Sequence, residues 1–287
     1  MQNWKRCSSP GISKHGHPIF QSLPSLLWGY EPRNVYIAEE TGLFFNVLPD
    51  RTLVYKGESC HGGKHSKDRL NVLLCVNSDG SDKQVPIVIG KSPKPRCFKN
   101  VKKLPTKYHV NGKAWLTTDF LFVPPFFRRA KQTNYSFCRQ LCSASLRYIL
   151  SRNVKVVWYP ANCTSTLQPL DLGIIHSLKA YYRKCLVQTS ICLMESGKEV
   201  KKKINVLEAM HYIMAAWQKV SQQTIQNCFR KGGHKYQLDG NEMANDDHDD
   251  DFGQDWEELC RAQKYDFQSY VSVDRHVTSG VETVEEL

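Results

Sequence analysis

Three carboxylates stand where a divalent metal could be held. Glu39 and Glu40 follow directly on the apolar run Asn34–Ala38, and Asp171 lies just after Gln168-Pro169-Leu170. Mg²⁺ and Mn²⁺ take hard oxygen ligands, so carboxylates converging from different elements are the chemistry to look for. Each also has an ordinary reading. Glu39-Glu40 can be a solvated loop, and Asp171 can simply cap a helix, because a carboxylate in a first turn is stabilised by the helix dipole. A second chemistry lies in positive charge. Lys91, Lys94, Arg96, Lys99, Lys102, Lys103 and Lys107 punctuate a Pro-containing stretch with Phe98 and Tyr108 nearby, and Lys64, Lys67 and Arg69 follow the glycines of His61-Gly62-Gly63. Cations spaced in this way can each meet a phosphate, an attraction that salt weakens. Such contacts position a nucleic acid without reading its bases. The Gly62-Gly63 loop lacks the spacing of a Walker A loop and is not a nucleotide cradle.

The elements that must position these groups show in the periodicity. Val154–Tyr159 is apolar, β-branched and aromatic, and reads as a buried strand. Beyond Pro169, which suits a first helical turn, Leu172, Ile175, Leu178, Tyr182 and Leu186 recur every three or four residues. This predicts an amphipathic helix with Asp171 in its first turn, at the carboxyl end of a strand, where open α/β sheets place ligands. Asn34–Ala38 reads as a short strand. Leu70–Val76 and Val85–Ile89 read as a hairpin closed by an Asp79-Gly80 turn. Lys113–Arg129 starts as a helix and breaks at Pro124-Pro125. An α/β fold needs another strand before Val154, but only Tyr135–Cys138 and Leu146–Leu150 are candidates, both weakly flanked. Asn205 caps a helix over Val206–Val220 whose Met and Trp residues are core, and Ser221 starts a last helix that stops at Gly232-Gly233.

With 287 residues the chain can bury a full core. No apolar run approaches the roughly 20 residues of a membrane span, and no secretory signal is visible. Eleven cysteines without a CxxC pair argue against a disulfide framework or a zinc ribbon and fit a reducing compartment. Residues 1–238 hold 36 Lys and Arg against 13 Asp and Glu, whereas residues 239–287 hold 3 against 15. A basic body with an acidic tail is the pattern of nucleic-acid binders. His248, among five aspartates, suggests a metal, but such a like-charge run is read as a solvated tail.

Taken together, Ala38–Phe44 (AEETGLF), Leu48–Leu53 (LPDRTL), Gly62–Arg69 (GGKHSKDR), Ile89–Ser92 (IGKS), Pro95–Phe98 (PRCF) and Leu167–Asp171 (LQPLD) resemble the catalytic DDE domain of the pogo/Tigger transposases and the Tigger transposable element-derived proteins. The resemblance runs from about Gly29 to Val273, and extends more distantly to jerky and centromere protein B. It implies an RNase H-like α/β fold in which three acids bind two Mg²⁺ or Mn²⁺ ions. The first acid falls on Glu39 where the family has Asp, and the third on Asp171. The second is missing: where the family reads VDNCxAH, this chain reads Phe137–Ser145 (FCRQLCSAS). A shifted reading frame across Thr133–Leu141 allows codons for I-I-L-F-V-D-N-C, which suggests that paired insertions or deletions scrambled the catalytic strand.

The resulting expectation is an RNase H-like mixed sheet with flanking helices and a degraded central strand. Residues 1–30 form a poorly ordered lead-in, 31–190 the DDE domain, 191–238 a helical extension and 239–287 an acidic, largely disordered tail. The function expected is nuclear, weakly sequence-selective DNA binding through the basic surface, including Lys198–Lys203. Glu39 and Asp171 remain as incomplete catalytic and metal positions, and no cofactor is expected unless residual activity uses Mg²⁺ or Mn²⁺. The alternatives are an active metal-dependent nuclease or strand transferase, and a protein-interaction module or unstable relic.

Overall fold

A computed structural model describes Leu23, Ser25 and residues 27–46, 68–112, 134–139, 154–159, 168–197 and 203–234, with residues 134–139 and 154–159 described by their backbone. The expected Lys113–Arg129 helix, the cations Lys64 and Lys67, Lys198–Lys202 and the acidic tail lie outside these residues.

The strands are β1 (Val35–Phe44), β2 (Arg69–Asn77), β3 (Ile87–Gly90), β4 (Lys107–Val110), β5 (Asn134–Arg139) and β6 (Val154–Tyr159). They form a mixed sheet in the order β4-β3-β2-β1-β5-β6. β2 is antiparallel to both of its neighbours, β1 and β3, while β5 pairs parallel to β1 and β6 parallel to β5. This is an RNase H-like sheet with β4 added at one edge, parallel to β3.

Two sequence expectations change here. β1 does not stop at Ala38 but continues through Glu39 to Phe44, so the two glutamates sit inside a strand that pairs with β2 throughout and with β5 over Val35–Ala38. Thr41, Leu43 and Phe44 favour extended backbone, and β2 offers an unbroken ladder from Tyr36↔Asn77 to Phe44↔Arg69. The central strand expected to be degraded is also present, as β5. Its backbone groups pair with β1 on one side and β6 on the other. Main-chain pairing tolerates changed side chains, so the sheet keeps its middle strand.

One face of the sheet carries the helices α1 (Ile175–Glu195), α2 (Val206–Lys219) and α3 (Gln222–Lys231). Ile37 and Leu43 of β1, Val72 and Leu74 of β2, Met210 and Ile213 of α2 share a single apolar cluster. The cluster takes in Leu23 and Leu27 too, so these two positions of the expected lead-in belong to the core. α2 carries a reciprocal cap: Asn205 Oδ1 accepts from Glu208 N–H at 3.0 Å, and Glu208 Oε2 accepts from Asn205 N–H at 2.8 Å.

α1 is entered through a wide turn, Leu170–Ile174, in which Ile175 N–H donates to Leu170 O, five residues back. The extra residue shifts the helical phase. Leu170 and Ile174 are buried while Leu172, expected on the apolar stripe, is half-exposed. Gly173 lets α3 come close here, since a Cβ would stand 2.8 Å from Cys228 Sγ.

α3 ends at Gly232, whose N–H donates to Cys228 O, and His234 N–H then donates to Phe229 O at 3.0 Å. The His234 ring is buried edge-on against Phe229, with ring centroids 5.1 Å apart. Burial pushes its pKa down to about 4. The unfolded chain takes up that proton near 6.5, so folding stability is level above that pH and falls between about 6.5 and 4. The expected loss by pH 4.5 is about 2–3 kcal/mol. Urea unfolding at pH 7 and 4.5 checks it, because His234→Phe should flatten that portion of the profile.

Candidate functional site

Glu39 lies on the face of β1 that Ile37 and Leu43 also line, and is only 4% exposed. Asp171 lies in the wide turn that packs against β1, half-buried, with its Oδ2 buried. What brings them to the same region is how α1 is pinned at its other end. Tyr182 O–H donates to Phe45 O at 3.0 Å, and Arg183 Nη1 donates to Phe44 O at 2.8 Å. From Arg183 back to Asp171 a helix covers about 18 Å at 1.5 Å per residue. From Phe44 back to Glu39 a strand covers about 17 Å at 3.3 Å per residue. The two lengths match, so fixing one end of α1 returns its first turn to the level of Glu39. Asp171, Ile175, Lys179 and Arg183 follow at intervals of four along one helical stripe, and Lys179 and Arg183 are both buried. Sequence reading passed over these two cations, although the four-residue spacing from Asp171 was the available signal.

The third position is fixed by register. β5 runs beside β1 from Val35↔Tyr135 to Ala38↔Cys138, so the next step puts Arg139 beside Glu39. A pair of divalent ions needs several converging anionic oxygens. The donor set here is Glu39, longer by a methylene than Asp, and Asp171, with an arginine at the third place. Among the described residues no group of three His, Cys, Asp or Glu could hold a metal. Among the described residues, therefore, Glu39 and Asp171 alone do not make up the donor set of two divalent ions, and no reaction step is derived from them.

The basic loop is a separate feature. Lys91, Lys94, Arg96, Lys99, Lys102 and Lys103 are all exposed, and among the described residues none of the six forms a salt bridge. Lys107 opens β4 and is exposed as well, with burial of its stem lowering its pKa. The loop is held by its uncharged residues. Phe98 and Tyr108 meet edge to face with centroids 4.9 Å apart, and Tyr108 O–H donates to Ser92 O at 2.8 Å. Gly90 makes this possible, because a Cβ there would collide with the Tyr108 hydroxyl. A single helical turn, Arg96–Phe98, closes the middle. Arg69 is half-buried at the start of β2 and does not belong to the loop. Continuing the register Asn71↔Ile89 does place it opposite Lys91. Lys203, from the second lysine cluster, reaches Asp68 at 3.4 Å.

The structure thus brings Glu39 and Asp171 to one region and groups the loop cations in another. The edge strand β4 is three strands from β1, or about 14 Å at 4.8 Å per step. Cys75, Cys97, Cys185, Cys192 and Cys228 are free thiols. Among the described residues no helix is long and apolar enough to cross a membrane.

Residues 67–130 and 136–229 match the family model described as DDE superfamily endonuclease. The chain is 33% identical to Tigger transposable element-derived protein 4 of Mus musculus, across 78% of this chain and 44% of the relative. It is 30% identical to major centromere autoantigen B of Mus musculus, across 78% and 37%, and 30% identical to the jerky protein homolog of Homo sapiens, across 71% and 37%. It therefore spans less than half the length of these relatives. Among solved structures it is similar to a Mos1 transposase paired-end complex with left transposon end, at a TM-score of 0.36 and 11% identity, covering 81% of this chain and 66% of that one.

Proposed function

We propose, from the premise that this chain belongs to the DDE superfamily endonuclease family, that it binds DNA through its basic loop in the nucleus and no longer cuts it. The observation that carries the reading is the run of exposed, unneutralised cations from Lys91 to Lys103 on a loop with its own aromatic support. Guanidinium and ammonium groups on a surface stretch meet successive phosphates and release condensed counterions. Contact of this kind follows the backbone and discriminates sequences weakly. Free thiols among the described residues suit a reducing compartment, and one relative carries the centromere in its name.

The donor set among the described residues supports the loss of cutting. Metal-assisted strand transfer needs ions that clamp both the attacking and the leaving oxygen. With Arg139 at the register position beside Glu39, the remaining carboxylates do not supply that clamp, so no Mg²⁺ or Mn²⁺ cofactor is assigned.

The binding half is tested by titrating salt against affinity for duplex DNA of mixed sequence. A steep linear fall of log affinity with log salt supports it, and a flat response would sink it. For the chemistry, supercoiled plasmid incubated with the protein and Mn²⁺ is expected to remain uncut, with Asp171→Asn making no difference. Nicking by the natural chain that disappears in Asp171→Asn would overturn the inactive reading.

A further inference from the structure

The basic loop has an anionic counterpart in the same polypeptide. Between Asp82 and Asp119 the sequence contains no Asp or Glu, while between Asp239 and Glu258 it contains ten and no Lys or Arg. The six exposed loop cations have no salt bridge among the described residues, and an unneutralised patch of this size attracts anions over about a Debye length. The acidic segment begins shortly after His234, where the described residues end. Fully extended, the stretch from Lys235 to Asp246 spans up to about 40 Å at ~3.4 Å per residue. A 200-residue domain has a radius of gyration of only about 16 Å, so the loop is within reach.

We propose that Asp239–Glu258 docks on the Lys91–Lys107 loop of its own chain, occupying the cations that would otherwise meet DNA phosphates. The acids then act as a competitor held at high effective concentration by its tether. This rests on the DNA-binding reading for its consequence, but the docking itself does not need DNA. The device makes binding conditional: duplex DNA must displace the acidic segment, and whatever draws that segment away strengthens DNA binding.

Two measurements on the 287-residue chain test it. Carbodiimide joins carboxylates to amines only where they touch. The expected products, within single chains, link Lys91, Lys94, Lys99, Lys102 or Lys103 to the aspartates at 246–251, with a yield that falls as salt rises. The second protein carries Asp246→Asn, Asp247→Asn, Asp249→Asn, Asp250→Asn and Asp251→Asn, outside the described core. At about 50 mM salt it should bind duplex DNA roughly tenfold more tightly than the natural chain. Absence of those cross-links overturns the docking, and so do cross-links found only between two copies. Equal DNA affinities of the two proteins also overturn it while leaving the DNA reading standing. If neither protein binds DNA, the functional reading falls and the cross-links alone decide the docking.

Discussion

Changing Lys94, Arg96, Lys99, Lys102 and Lys103 together to alanine should lower affinity for duplex DNA by about three orders of magnitude at ~0.1 M salt. Each phosphate contact removed takes about 0.9 from the slope of log affinity against log salt, so five contacts would remove between four and five. The loss should be the same for unrelated sequences, because these side chains have phosphates as partners and not base edges. The variant should keep its fold. All five residues are exposed, whereas the loop is held by Phe98, Tyr108, Ser92 and the space at Gly90. Exposed substitutions of this kind usually change stability by less than about 0.5 kcal/mol each. An unaltered salt slope would remove the loop from the interface.

Trp217→Ala should cost about 3–5 kcal/mol, a large part of the roughly 5–15 kcal/mol that holds an ordinary domain together. Trp217 is 2% exposed within the shared cluster, and its Nε1–H donates to Gln84 O at 2.9 Å. Lys83 lies over its ring at 5.7 Å and donates to Trp217 O and Val220 O at the end of α2. A cation there satisfies carbonyls that a helix terminus leaves open and complements the helix dipole. Gln222 and Gln226 of α3 both donate to Asp79 O, at 2.8 and 2.9 Å, in the turn that follows β2. The truncation therefore removes ring packing and a hydrogen bond at the junction of sheet and helices. Thermal unfolding by circular dichroism is the measurement. A single cooperative transition in the natural chain, moved sharply downward by the substitution, fits an intact core. A broad transition unaffected by Trp217→Ala would instead favour the unstable-relic reading.

Much of this architecture was legible because periodicity and punctuation agreed. Asn205, Ser221 and Gly232 marked helix ends that the structure keeps, since caps satisfy the same backbone groups in any context. The Asp79-Gly80 turn announced the antiparallel pairing of β2 with β3. β5 was legible only as one of two candidates: Tyr135–Cys138 lies within it, but a six-residue strand between two partners draws its order from their hydrogen bonds more than from its own side chains. The full length of β1 escaped for a related reason: Glu39, Glu40 and Gly42 are poor strand formers alone and become acceptable opposite the continuous ladder that β2 offers. The wide turn before α1 hid because one extra residue changes the phase of a helix without changing its composition. At the candidate site, Glu39 and Asp171 were readable as types and the loop cations as a run. The placement of Arg139 needed the parallel register, which no spacing along one chain reveals.

The grip of Lys83 and Gln84 on α2 lies at the end of the sheet where β1 begins, and Tyr182 and Arg183 hold the end where β1 finishes. Residues before 112 and after 168 are thus fastened to each other at both margins, with β1 and β2 clasped between. A protease that severs the polypeptide between those two blocks divides the covalent chain without parting the body. The two fragments are then expected to elute together in gel filtration, so cleavage alone is a poor sign that this protein has come apart.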